Sequence, residues 1–171
     1  LPMKQFFQLL ILLLPLSSFA QDLLVYEDTV HHFTIGVPTG WKYGIPRDKS
    51  TSFLAGRKAK DSTDVVRESF TVNVLYGKPA DLNTSYKEFM GFIEKAPSFK
   101  ILEQGEKDIN GRHYKWLVET HQHPGNKEEV VNYVYFANSG KSLLILTMVS
   151  STTAFKKYRE LYDRIASSLK Y

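Results

Sequence analysis

The sequence contains no cysteine among its 171 residues. Disulfide bonds, thiolate metal ligands and cysteine nucleophiles are therefore excluded, and the fold must be held together by packing and hydrogen bonds. The sequence also lacks a glycine-rich phosphate loop, a Gly-x-Ser-x-Gly elbow and a pair of carboxylates spaced for acid and base catalysis. We therefore expect a protein that is not an enzyme and that carries no cofactor.

Runs of one charge are missing as well. The formal net charge is +4, and the basic and acidic residues are interspersed along the chain. A nucleic-acid interface, or a segment that binds an anionic membrane surface, normally needs a cluster of lysine and arginine. The sequence thus indicates no nucleic-acid partner.

The chain has one long apolar run, at residues 6–16, which follows Lys4 and precedes Ser18-Phe19-Ala20. This order is typical of a secretory signal peptide, and we expect residues 1–20 to be removed by cleavage before Gln21. The run is shorter than the roughly 20 apolar residues that a membrane span requires. Residues 21–171 are then predicted to form one domain that is exported to the periplasm or beyond, soluble and monomeric.

The segment at residues 112–149 predicts three consecutive antiparallel strands, at residues 112–120, 129–136 and 142–149, separated by loops with turn-forming residues. The second and third strands carry apolar residues at successive positions. A strand with this pattern is covered on both faces, so the sheet should lie in the middle of a layered domain. We expect Trp116 and Ile145 to be in the core.

The rest of the chain predicts five further strands and two helices. The strands are expected at residues 23–27, 32–37, 52–56, 68–76 and 99–109, the last of these a polar edge strand. Asn110-Gly111 predicts a tight hairpin after it. A helix is expected over about residues 84–95, capped by Asn83, Thr84 or Ser85, and a closing helix should follow Ser151-Thr152-Thr153.

Two stretches carry a family resemblance, Phe-Thr-Ile-Gly-Val-Pro-Thr-Gly-Trp at residues 33–41 and Asp-Ile-Asn-Gly-Arg-His-Tyr-Lys-Trp at residues 108–116. Together with the aromatic strand, the turn at 138–141, the apolar strand and the closing helix, they resemble the PsbP-like family. That family shares its fold with the Mog-type Ran-binding proteins, and the resemblance covers nearly all of residues 21–171. It implies an α+β fold with a central antiparallel sheet and helices on both faces, a three-layer α/β/α sandwich. It also implies a binding or assembly protein, although neither photosystem II nor Ran is expected as the partner.

Glu119, His121 and His123 follow one another at a spacing of two residues near a predicted strand end. Side chains at that spacing point to the same side of a strand, and two imidazoles with a carboxylate are a ligand set for zinc or copper. The other interpretation is a polar, solvent-facing side of the strand, opposite Trp116. We favour the second interpretation and expect no bound metal.

Two polar loops, at residues 57–64 and 121–127, are expected to form the contact surface, because loops at strand ends vary freely on a rigid scaffold. The candidate contact residues in them are Arg57, Lys58, Lys60, His121, His123 and Lys127. The sequence therefore predicts an exported, non-catalytic binding or assembly module with a protein partner in the cell envelope. A carrier of a small ligand or metal in the cell envelope is the alternative.

Overall fold

A computed structural model describes residues 21–77, 81–123 and 125–171 of the chain. The predicted signal peptide lies outside these residues. The described elements, in chain order, are β1 (Leu23–Asp28), β2 (Phe33–Pro38), β3 (Lys42–Gly44), β4 (Phe53–Gly56), β5 (Ser69–Tyr76), α1 (Leu82–Ile93), β6 (Lys100–Ile109), β7 (Arg112–Gln122), β8 (Glu129–Ser139), β9 (Ser142–Ser151) and α2 (Thr152–Ser168). None of the described helices is long and apolar enough to cross a membrane.

The architecture is α+β, built on a seven-stranded antiparallel sheet in the order β3-β4-β5-β9-β8-β7-β6, with β1 and β2 paired separately as a hairpin. The predicted meander is present as β7-β8-β9, and β6 lies at an edge of the sheet as predicted. Asn110 and Gly111 have φ values of 51° and 76°. Positive φ at both central residues is what a type I′ hairpin turn requires, so the predicted turn is confirmed.

Successive residues of β8 enter two different hydrophobic clusters. Tyr133 and Tyr135 belong to a large cluster that also contains residues of β2 and α2, whereas Val134 and Phe136 belong to a second, smaller cluster. Alternation along a strand places these two sets on opposite faces of the sheet. The successive apolar positions of β8 and β9 are therefore explained by burial on both faces, as the sequence predicted.

Helix α1 covers the second face of the sheet at β7, β8 and β9. Its residues Leu82, Tyr86, Phe89 and Met90 pack against the smaller cluster, which consists of Leu117, Val134, Phe136, Leu143 and Ile145. On the same face, at the β3-β4-β5 end, Leu54 is 41% exposed. This end of the face is the part of the molecule on which the candidate site lies.

The predicted N-cap of α1 was wrong. The helix begins at Leu82, and the Asp81 side chain accepts hydrogen bonds from the backbone N–H groups of Asn83 and Thr84 at 3.1 and 3.0 Å. A carboxylate before the first turn satisfies two amides at once and is also favoured by the positive end of the helix dipole. The residues predicted to cap the helix therefore lie inside its first turn.

Trp116 is only half-buried, so the prediction that it is a core residue was too strong, whereas Ile145 is buried as predicted. The tryptophan lies on β7, next to edge strand β6, and its indole covers Gly105 of that strand. A Cβ at Gly105 would lie 3.0 Å from the indole ring. The glycine thus leaves space for the ring, while the edge position leaves one side of the ring exposed.

Candidate functional site

An open groove with a volume of about 970 Å³ lies on the second face of the sheet, beside the part that α1 covers. Its floor follows one row of residues that are in register across the strands. From β4 to β8 the row is Gly56, Ser69, Val149 and Asn132. The row continues to Lys42 of β3 at one end and to Glu119 of β7 at the other.

Large apolar side chains are exposed along the β3-β4 side of the groove. They are Ile45, Leu54 and Val65, with exposed fractions of 54, 41 and 57%. Soluble proteins usually leave contiguous apolar surface of this kind open only where they bind something. The groove therefore has the properties of a binding surface.

Both loops that the sequence singled out contribute to this one groove. Arg57 and Lys58 line it from the first loop, and His121 and His123 line it from the second. The two loops are far apart in the chain, and they meet here because β9 is inserted between β5 and β8. The other two candidate contact residues, Lys60 and Lys127, are exposed but are not among the residues that line the groove.

The Arg57 guanidinium forms hydrogen bonds within the segment between β4 and β5. It donates hydrogen bonds to both Asp64 carboxylate oxygens, at 2.7 and 2.9 Å, and a further one to the buried carboxylate of Glu68. The hydrogen bond to Asp64 raises the pKa of Arg57, and the same bond lowers the pKa of Asp64. Arg57 therefore holds the loop between β4 and β5 in shape, and its single positive charge is already paired with two carboxylates.

Three other cations at this end of the groove, Lys42, Lys58 and Arg67, are exposed and line it. Within the described ranges, no ion pair involves any of the three. Lys42 and Arg67 were not identified from the sequence, because single basic residues in a chain of mixed charge give no signal. Only the folded structure shows that they lie with Lys58 at one end of the groove. We call this group of three cations the cationic corner.

At the other end of the groove, His121 Nδ1 lies 3.0 Å from Glu119 Oε2, and the Asn132 side chain also hydrogen bonds to Glu119. Glu119 is fully buried, so the interpretation that it faces solvent was wrong. It lies on an interior strand, in register with Ile101 and Asn132 of the neighbouring strands, and the His121 side chain adjoins it. Burial raises the pKa of Glu119, and the hydrogen bond with His121 opposes that rise.

His123 does not join this pair. Its Nδ1 accepts a hydrogen bond from the Gly125 backbone N–H at 3.1 Å, inside the loop after β7. In the part of the chain that the structure describes, no group of three histidine, aspartate or glutamate side chains is placed to hold a metal ion. The structure thus brings together Glu119 and His121 but not the complete set of three.

Ser69, in the floor of the groove, lies far from the Glu119–His121 pair. Ser69 and Glu119 lie in one row but on β5 and β7, with β9 and β8 between them. Three strand spacings of about 4.8 Å place Ser69 about 14 Å from the Glu119–His121 pair. This distance is far beyond hydrogen-bond reach, so Ser69 forms part of the groove floor and has no activating base there.

Comparison of the sequence with protein-family models and with curated proteins finds no match. Comparison of the structure with solved structures does find similar folds. Cyanobacterial PsbP (CyanoP) from Synechocystis is 15% identical, with a TM-score of 0.62 over 88% of this chain and 92% of that chain. The Ran-binding protein Mog1p of Saccharomyces cerevisiae is 12% identical, with a TM-score of 0.59 over 88% and 95%.

LpqN of Mycobacterium tuberculosis, described as involved in cell envelope biogenesis, is also similar. It is 12% identical, with a TM-score of 0.59 over 81% of this chain and 82% of that chain. Identities this low establish a common fold and leave activity and partners open. The α+β fold with a large antiparallel sheet that the sequence predicted is confirmed, and the chain shares the fold of PsbP and of the Ran-binding protein Mog1p.

Proposed function

We propose that this protein is an exported, monomeric, non-enzymatic binding module that holds part of a partner protein of the cell envelope in the groove on its sheet. One observation carries the proposal: two distant polar loops and three exposed apolar side chains converge on a single open groove. A rigid sheet under variable loops is a common way to build a binding surface. The pattern of a signal peptide in residues 1–20 supports export.

The similar structures support the same proposal. Mog1p is a Ran-binding protein, and LpqN is described as involved in cell envelope biogenesis. Neither description names an enzymatic activity. We further propose that the domain is the three-layer sandwich that the family resemblance implies, with α1 on one face of the sheet and α2 with the β1-β2 hairpin on the other.

A small-ligand carrier is the second candidate, because the volume of about 970 Å³ is within the range of ligand pockets. Such pockets enclose most of their ligand, whereas this groove is open along its length. The open shape favours a segment of a macromolecule over a small molecule.

The proposal is tested by affinity capture from the envelope fraction of the source cells, with quantitative mass spectrometry. Ser69→Trp fills the groove floor with a bulky side chain, and Lys156→Trp, on the exposed face of α2, is the matched control. We expect one set of proteins to be recovered with the wild type and with the control, and to fall at least tenfold with Ser69→Trp. Equal recovery with all three proteins, each shown to be folded, would contradict the proposal.

A further inference from the structure

We propose that the groove takes an extended, acidic segment of the partner protein, whose carboxylates are held by Lys42, Lys58 and Arg67. This inference rests on the proposed function, because it specifies the chemistry of the segment that the same groove binds. It is carried by the sheet register, by the absence of acidic residues from the described groove lining and by the length of the floor.

The register brings the three cations to one corner. Gly56 of β4 pairs with Ser69 of β5, and the Arg57 N–H donates to the Glu68 carbonyl at 2.9 Å, so the pairing continues past the end of β4. Lys58 and Arg67 are the next residues along the two segments, and both line the groove. Lys42 pairs with Gly56, two residues before Lys58 on the same face.

Like charges that face each other on neighbouring strands are destabilising, whereas a pair of opposite charges is stabilising. Here the nearby acidic residues are engaged elsewhere, because Asp64 and Glu68 both bond Arg57. Among the described residues that line the groove there is no aspartate or glutamate. The corner is therefore complementary to an anion that the described part of the chain does not supply.

The floor has the length of a short extended peptide. From Lys42 on β3 to Asn132 on β8 the row of lining residues crosses five strands. Four strand spacings of about 4.8 Å give about 19 Å, which about six extended residues would span at roughly 3.3 Å each. Gly56 and Ser69 are small, so a peptide main chain can approach the floor closely at these positions.

The exposed apolar side chains beside the cationic corner, which we call the apolar wall, favour an acidic peptide over a nucleic acid as the bound anion. Ile45, Leu54 and Val65 lie beside the cationic corner and expose apolar surface to the groove. A nucleic acid would need a longer row of cations for successive phosphates. A peptide with acidic residues at one end and apolar residues beside them matches both the charges and the apolar wall.

The test is selection from a phage library of random heptapeptides against three purified proteins: the wild type, the double variant Lys58→Glu/Arg67→Glu and the control Lys95→Glu/Lys156→Glu. The control changes the net charge by the same amount at exposed positions outside the groove. We expect aspartate and glutamate to be enriched at least threefold with the wild type and the control. The enrichment should disappear with the groove variant, and a synthetic selected peptide should bind that variant at least tenfold more weakly by fluorescence anisotropy.

Three outcomes of the peptide and vesicle experiments overturn the inference. They are selection of peptides without acidic enrichment, acidic enrichment that survives in the groove variant, and binding of phosphatidylglycerol vesicles that is lost in the same variant while no peptide binds. The last outcome would assign the corner to an anionic lipid. A partner that Ser69→Trp displaces, but that binds the Lys58→Glu/Arg67→Glu variant normally, leaves the proposed function in place and rejects only its acidic specificity.

Discussion

The pair of Glu119 and His121 places a titratable carboxyl group under one end of the groove. Glu119 is fully buried, and its Oε2 atom lies 3.0 Å from Nδ1 of the His121 imidazole. The sequence showed that the two residues share a side of the strand, because their spacing is two. It did not show that this side is buried, since burial comes from the strands and residues that flank Glu119 only after folding.

Glu119→Gln should change how the stability of the protein depends on pH. Because burial raises the folded-state pKa of Glu119, the folded protein holds this proton more tightly than the unfolded chain does. The contribution of Glu119 to the free energy of unfolding is therefore present below the unfolded pKa of about 4.3 and declines as the pH rises through the folded pKa. Urea denaturation at several pH values should therefore show the wild type losing stability relative to Glu119→Gln as the pH rises.

Glu106→Gln is the control for this experiment, because the opposite sign is expected. The hydrogen bond from Lys115 lowers the pKa of Glu106, so the contribution of Glu106 is lost as the pH falls. A stability difference for Glu119→Gln that stays flat, or that grows in favour of the wild type as the pH rises, would reject the assignment of a raised pKa to Glu119.

Arg57 and Lys58 are neighbours with different expected roles. Arg57→Ala removes the partner of the buried Glu68 carboxylate, and a partly buried ion pair that loses one member should cost about 2 kcal/mol. Lys58→Ala, at an exposed position, should stay within about 0.5 kcal/mol of the wild type. Chemical denaturation of both variants checks this, and equal stabilities would mean that the Arg57 ion pairs do not hold the loop.

At the scale of the elements, the strength of the sequence pattern decided what could be predicted. The alternation in β5 and the successive apolar residues of β8 and β9 were sufficient to locate those strands to within a few residues. Strand β3 was missed, because three residues, Lys42–Gly44, are too few to show a period. The cap of α1 was misplaced because Asp81 precedes three other residues that are also good caps.

Trp116→Ala tests the corrected packing of β7. A fully buried tryptophan or phenylalanine costs about 3–5 kcal/mol when it is cut to alanine. Because the Trp116 ring lies over Gly105 of the edge strand and is only partly buried, we expect about 2 kcal/mol, less than for Leu146→Ala, which empties a fully buried position on β9. Denaturant titration of the two variants compares them directly, and a larger loss for Trp116→Ala would restore the original prediction of a core residue.

At the scale of the whole molecule, the groove could not be predicted from the sequence. The two polar loops were recognised as candidate contact loops from their composition alone. Their meeting depends on the strand order, in which β9 pairs with both β5 and β8. Such pairing joins segments that are distant in the chain, and no local pattern in Arg57, Lys58 or His121 specifies it. The same strand order places Lys42 and Arg67 beside Lys58, which explains why the cationic corner was also missed.

Site-specific photo-crosslinking in intact cells tests the central claim, that the groove contacts a partner protein, most directly. A photoreactive phenylalanine analogue replaces Leu54 or Ser69 in the groove, and Lys156 on the exposed face of α2 as the control. The account predicts that both groove positions form a crosslink to the same protein and that the α2 position does not. Crosslinks from the α2 position alone, or none from either groove position in a folded protein, would contradict it.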